Sequence, residues 1–199
     1  MMQRWRLYCK AVLLGGLISL MAGCSVFPKP DPQARYTLPP VTLQAQVPTQ
    51  PGVLFVGAPQ ANRLISSNLF LIQTEEGEIK AYKGTLWADN VPAIVRERLV
   101  SAFTDVQLFE AISADAVLRS DRTLDIYIQA FQVQLDQGQP KVQIQVDAKL
   151  VDSASSTILK SKRFYSHHVA ASTEVLDVVK AFGQASDQLS LDLIHWLQP

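Results

Sequence analysis

The chain has 199 residues, 48% of them hydrophobic and 18% charged, which suits one globular domain rather than two and leaves enough apolar side chains for a core. Its 18 lysines and arginines balance 18 aspartates and glutamates, so there is no basic excess of the kind a phosphate backbone requires, and nucleic acid is excluded as a partner. The only cysteines are Cys9 and Cys24, too few and too near the start to build a disulfide framework.

The first segment reads as a secretory signal. Arg4, Arg6 and Lys10 precede an uncharged run from Ala11 to Met21, about the length of a signal h-region and short of the roughly 20 apolar residues that span a bilayer. Met21-Ala22-Gly23-Cys24 follows and resembles the bacterial lipobox. Small residues there let the peptidase reach the backbone, and the cysteine thiol carries the diacylglycerol. Several acyl chains, at about 0.8 kcal/mol per buried methylene, hold a protein on a membrane almost permanently. Residues 1–23 are therefore expected to leave as signal peptide, with Cys24 becoming the lipidated first residue. Loss of three cations brings the mature chain to 15 basic and 18 acidic residues, near −3. Ser25 stands where, by resemblance to enterobacterial lipoproteins, an aspartate would retain the protein at the inner membrane. The expected location is the periplasmic face of the outer membrane.

Between Ser25 and Gly52 lie seven of the 11 prolines, so this stretch holds no continuous helix. Residues 24–52 read as the lipidated cysteine and a proline-rich tether, rising about 3.1 Å per residue. Arg35-Tyr36-Thr37-Leu38 interrupts it, and a short edge strand there, docked on the domain, would shorten the free tether.

Residues 53–199 form the expected single domain. Val53 to Val56, an apolar run bounded by glycines, suits a buried strand. Leu69 to Ile72 and Ile79 to Tyr82 flank a polar loop containing Gly77, the pattern of a hairpin. The period then changes: with Asp89 or Asn90 as cap and Pro92 in the first turn, Val91, Ile94, Val95, Leu99, Ala102 and Phe103 share one helical face. A short strand is expected around Val106 to Phe109, and Ser113 to Ser120 is a polar connection.

The strongest strand signals follow. Leu124, Ile126, Ile128 and Ala130 alternate with polar residues, and the apolar set then shifts to Phe131, Val133 and Leu135, which predicts a bulge near Ala130. Gln137 to Pro140 makes a turn. Val142, Ile144, Val146, Ala148 and Leu150 alternate without a break against polar residues, one face core and the other wet. A third strand is expected from Ile158 to about Val169. A helix from about Thr173 to Leu197 closes the chain, with Ser172 as cap and an apolar stripe of Val175, Val179, Phe182, Leu189, Leu193 and Trp196. The expected fold class is α+β: two layers, an antiparallel sheet with two helices packed on one face.

Catalytic patterns are missing. There is no Gly-x-Ser-x-Gly elbow and no phosphate-cradling Gly-x-x-x-x-Gly-Lys. His167 and His168 are neighbours on a strand and point to opposite faces, so they do not share one metal ion. His195 follows Asp192 by three residues on a helix, a spacing far commoner for surface pairs than for catalytic dyads. The expectations are no enzyme, no cofactor and no metal. Tyr36, Tyr82, Trp87 and Trp196 at element edges suit either interface anchors or the ends of the core. The wet face of the central strands, with Gln143, Gln145 and Lys149, is the candidate partner-binding surface.

Tyr36-Thr37-Leu38-Pro39 after a lipobox, then Tyr82 separated by four residues from Trp87-Ala88-Asp89, then a helix carrying Leu99 and Phe103, then Leu124 to Phe131, Val142 to Asp152 and a final helix, together resemble the ABC-type transport auxiliary lipoproteins, which include the paraquat-inducible-operon lipoproteins. The resemblance implies a non-catalytic outer-membrane subunit of an intermembrane phospholipid transport system. The system's other parts would be an inner-membrane permease, a cytoplasmic ATPase and a periplasmic MCE-domain protein, which this chain would dock. Self-association into a homo-oligomeric ring is compatible with it. Two other readings stand beside this one: a lipoprotein activator of a periplasmic cell-wall synthase, and a lipid-binding shuttle with an apolar pocket between sheet and helices.

Overall fold

The structure, a computed structural model, describes residues 33–199. The signal peptide, Cys24 and the first part of the expected tether lie outside the described residues. The elements are β1 (Ala34–Tyr36), β2 (Gln50–Val56), β3 (Gln60–Ala61), β4 (Leu69–Gln73), β5 (Ile79–Trp87), α1 (Val91–Asp105), β6 (Phe109–Ser113), β7 (Arg122–Asp136), β8 (Gln139–Asp152), β9 (Thr157–Val169) and α2 (Val175–Leu197).

The fold is α+β, built around β7. One edge of β7 pairs with β8 along its whole length, antiparallel, and β8 pairs antiparallel with β9. The other edge is shared by three short strands: β2 at Arg122–Leu124, β3 at Tyr127–Ile128 and β4 at Val133–Gln134, all parallel to it. β1 lies parallel to β5 and β2 parallel to β6, while β4 and β5 form the expected antiparallel hairpin. The nine-stranded sheet is thus mixed, which corrects the expectation of an antiparallel one. Alternation of apolar and polar residues determines which face a strand buries, but it carries no information on the direction of the neighbour. Parallel pairs need long connections, and α1 supplies one between β2 and β6.

Local chemistry explains the element boundaries. The Asn90 side chain accepts from the Ala93 amide (3.0 Å), capping α1, and Pro92 occupies its first turn. At the far end the chain closes the helix through the Val106 amide on the Ala102 carbonyl (3.3 Å), and Gln107 adopts φ 51°. β6 therefore begins at Phe109 rather than Val106. The β7 register shifts between Ile128 and Ala130, the site of the expected bulge. Gln137 and Gly138 both take left-handed φ, 50° and 75°, the two-residue turn whose twist matches a long hairpin. α2 starts at Val175 with Glu174 at the cap position, and Glu174 makes no capping side-chain bond. Ser172 acts from further back: its Oγ accepts from the Glu174 amide (3.1 Å) and donates to Asp177 in the first turn (2.7 Å).

The two helices touch each other, and α2 lies against β8 and β9. The inward residues of β8, Val142, Ile144, Val146 and Ala148, are at most 1% exposed. At the centre Trp87 stacks on Phe70 (4.5 Å between centroids, 22°), Phe182 stacks on Phe131 (4.8 Å, 29°), and the two pairs meet edge-on. Trp87, fully buried, is a core residue and not an interface anchor.

Residues 34–52, read from their prolines as tether, lie on the domain. β1 joins the sheet edge, and Leu38, Val41, Leu43 and Val47 pack against the core. Proline forbids a helix, yet it permits extended chain laid over a helical surface. This strap is fastened by Arg98 of α1, itself 6% exposed. Its guanidinium donates to the Pro39 carbonyl, to the Gly183 carbonyl (3.3 Å) and to Asp187 of α2 (2.5 Å). Thr42 of the strap donates to the other Asp187 oxygen (2.8 Å).

Candidate functional site

Sheet alternation points every second residue of β8 away from the helices: Lys141, Gln143, Gln145, Asp147 and Lys149. Cross-strand pairing places Gln143 between Gln132 and His167, Gln145 opposite Tyr165, Asp147 between Tyr127 and Arg163, and Lys149 between Asp125 and Ser161. The three residues singled out from the sequence therefore share one surface, with Gln143 and Gln145 half-buried and adjacent and Lys149 exposed. Between Gln145 and Lys149 lies Asp147, which organises the face. It accepts from Arg163 Nε (2.5 Å) and Nη2 (2.9 Å) and from Gln129 (2.7 Å).

Those bonds explain the electrostatics. The Arg163 hydrogen bond, reinforced by Gln129, holds the Asp147 carboxyl down to about 2, and the same contact raises the Arg163 guanidinium above its usual value. Both groups stay charged across the physiological range. Tyr127 and Tyr165 flank them, 39% and 60% exposed, so the face offers two aromatic rings around a fixed, hydrogen-bonded ion pair. Aromatic rings with few torsions suit protein contact. Asp147 and Arg163 carried a signal in the sequence, since both sit at wet positions of alternating strands. Tyr165 carried none beyond its position.

The other groups considered for chemistry are apart. His167 faces the polar surface beside Gln143, while His168 lines a cleft of about 490 Å³ on the helix side with Pro39, Arg98, Asp177 and Lys180. His195 and Asp192 line a second cleft beside Trp196, and Asp192 accepts from Gln188 (2.9 Å). Among the described residues no group of three or more His, Cys, Asp or Glu is placed to hold a metal ion. Nor is any described helix long and apolar enough to cross a membrane. The space between sheet and helices is occupied by the packed rings of Phe70, Trp87, Phe131 and Phe182, and both clefts open to solvent at the surface.

Residues 36–193 match the family of ABC-type transport auxiliary lipoprotein components. A crystal structure of a Xanthomonas campestris protein is similar over 83% of this chain and 91% of its own, with 28% identity and a TM-score of 0.70. A hypothetical protein of Chlamydia trachomatis shares the fold at a TM-score of 0.54, with 11% identity over 73% of this chain and 95% of that one. An uncharacterised protein of Bradyrhizobium diazoefficiens is 25% identical over 186 residues, 92% of this chain. The chain spans about half, 49%, of that relative's length.

Proposed function

Because the chain belongs to the family of ABC-type transport auxiliary lipoprotein components, we propose that it is a non-catalytic, outer-membrane lipoprotein subunit of an ABC/MCE-type system that moves phospholipid between membranes. Its task is to dock the periplasmic, MCE-domain component, and through it the permease and ATPase. The observation that carries this reading is the division of labour between the two sides of the sheet. One side is covered by helices, and packed rings fill the space between them and the sheet. The other presents Gln143, Gln145, Asp147, Lys149 and the two tyrosines, half-buried or exposed and covered by no described helix, a surface suited to a protein partner. The packed rings argue against a shuttle that holds a lipid between sheet and helices; the clefts of about 490 and 500 Å³ lie at the surface and open to solvent.

Lipidation at Cys24 makes the docking geometry specific. Since β1 already belongs to the domain, only eight residues lie between Cys24 and Gln33, a reach of at most about 28 Å at 3.1 Å per residue. The domain works close to the membrane that holds its anchor, and the partner has to come to it. Cys24→Ala abolishes incorporation of labelled palmitate and releases the domain from the membrane fraction; incorporation unchanged in that variant would contradict the assignment.

The function is tested by crosslinking the full-length protein in intact cells and identifying what is captured. Recovery of an MCE-domain protein supports the proposal. Recovery of a cell-wall synthase in its place contradicts it and favours an enzyme-activating lipoprotein.

A further inference from the structure

β9 pairs only with β8, so among the described residues the outer edge of its 13-residue backbone has no strand partner. Proteins usually guard such edges with proline, with outward lysines or with a covering element. β9 contains no proline, and its three cations are folded back onto the domain itself. Lys160 caps the end of α2, donating to the Gln198 carbonyl (2.7 Å); Lys162 lies over the Phe164 ring (5.0 Å); Arg163 is held by Asp147. The exposed large apolar side chains of β9 are Ile158, Leu159, Tyr165 and Val169, 45 to 60% exposed, the last two on the open face beside Gln145 and Lys141. Beside this edge, between β9 and α2, runs a cleft of about 500 Å³ lined by Lys162, Phe164, Tyr165, Asp192, His195 and Trp196. Phe164 and Trp196 form its apolar wall as an edge-to-face pair, 5.5 Å between centroids.

An open strand edge next to a helix groove is the arrangement used for strand addition, where main-chain hydrogen bonds supply affinity and alternate side chains entering the groove supply selectivity. We propose that the outer edge of β9 with the β9–α2 groove receives an extended, acidic segment of the partner, added to the sheet as a further strand. This deepens the docking reading above and rests on it. Charge selects the occupant: β9 holds no carboxylate, and of its three cations Lys162 is exposed and makes no ion pair with the described residues, so an acidic side chain is favoured against Lys162 and an apolar one against Phe164 and Trp196, while Asp192 on the α2 wall is held by Gln188 (2.9 Å). A second copy of this chain fits poorly. The other strands at the sheet's margins, β1 and β6, are three and five residues long, and β9 against β9 sets like charges face to face.

The test uses the full-length lipidated protein in the bacterium that encodes it, with a photo-crosslinking residue placed at position 192 or 195 on the α2 wall of the groove, or at 145 on the sheet face. The expected result is adducts from 192 and 195 that map to one acidic, extended stretch of the transporter's periplasmic component. Lys162→Glu, at an exposed position, should reduce their yield about tenfold, the effect of one unfavourable charge contact, while the melting temperature is unchanged. Adducts from 145 alone overturn the strand-addition site and leave docking intact. Adducts from 195 to another copy of this chain, or a yield indifferent to Lys162→Glu, also overturn it. Absence of transporter adducts from all three positions overturns the docking reading itself.

Discussion

The two sides of the domain each carry one arginine–aspartate pair, and the contrast between them separates fold from function. Arg98–Asp187, on the helix side, has side chains 5% and 15% exposed; Arg163–Asp147, on the open face, has 49% and 30%. Both are 2.5 Å contacts, yet the first stands in low dielectric and ties three segments together, whereas the second is in contact with water. Short distance is therefore a poor guide to energetic weight; burial decides it.

The largest expected effect breaks the buried pair. Arg98→Ala leaves Asp187 nearly buried without its cation and frees the Pro39 and Gly183 carbonyls, so the domain should lose about 3–5 kcal/mol of stability, read from its urea midpoint. Proteolysis within residues 37–49 should accelerate in the same variant, since the strap loses its clamp. Next comes Gly183, where an added Cβ would meet the Pro39 ring at 3.0 Å. Gly183→Val pushes the strap away from α2 and should cost about 1–3 kcal/mol by overpacking, with Arg98 left in place. A loss as large as that of Arg98→Ala would mean that close packing rather than charge dominates the clamp.

The open-face pair should respond mainly to pH and salt. Asp147 is depressed from 3.8 to about 2, so its contribution is present above the ordinary value and is lost as pH falls toward 2. Arg163→Ala removes the hydrogen bond that lowers it. The expected result is a urea midpoint that depends less on pH between 4 and 2 in the variant than in the parent, and a difference that shrinks at 1 M salt. At neutral pH the melting temperature should move by no more than about 3 °C.

The same contrast explains what could be read from the chain alone. The β7–β9 meander, its bulge at Ile128 to Ala130 and the core faces of both helices follow from periods of 2 and 3.6, a local property of the residues. The parallel pairing of β2, β3 and β4 on β7 does not, because an apolar strand of two to seven residues fits either direction. Arg98 lies beside Leu99 on the α1 stripe, where a cation reads as a helix surface, and its partner Asp187 is 89 residues away; only the folded chain reveals that it is buried. The strap was hidden for a related reason, since its four prolines signal the absence of a helix and are silent about whether the extended chain is packed. On the polar face, alternation exposed Gln143, Gln145 and Lys149, while the hydrogen bonds that make Asp147 its centre depend on Arg163 and Gln129 from two other strands.

The central claim is that the uncovered side of the sheet with the adjoining β9 edge, and not the α1 side of the domain, meets the transporter. It is tested most directly by comparing full-length proteins that carry a photo-crosslinking residue at position 145, on the open face, or at position 97, exposed on α1. The account predicts adducts with the periplasmic component from 145 and none from 97; adducts from 97 with none from 145 would contradict it.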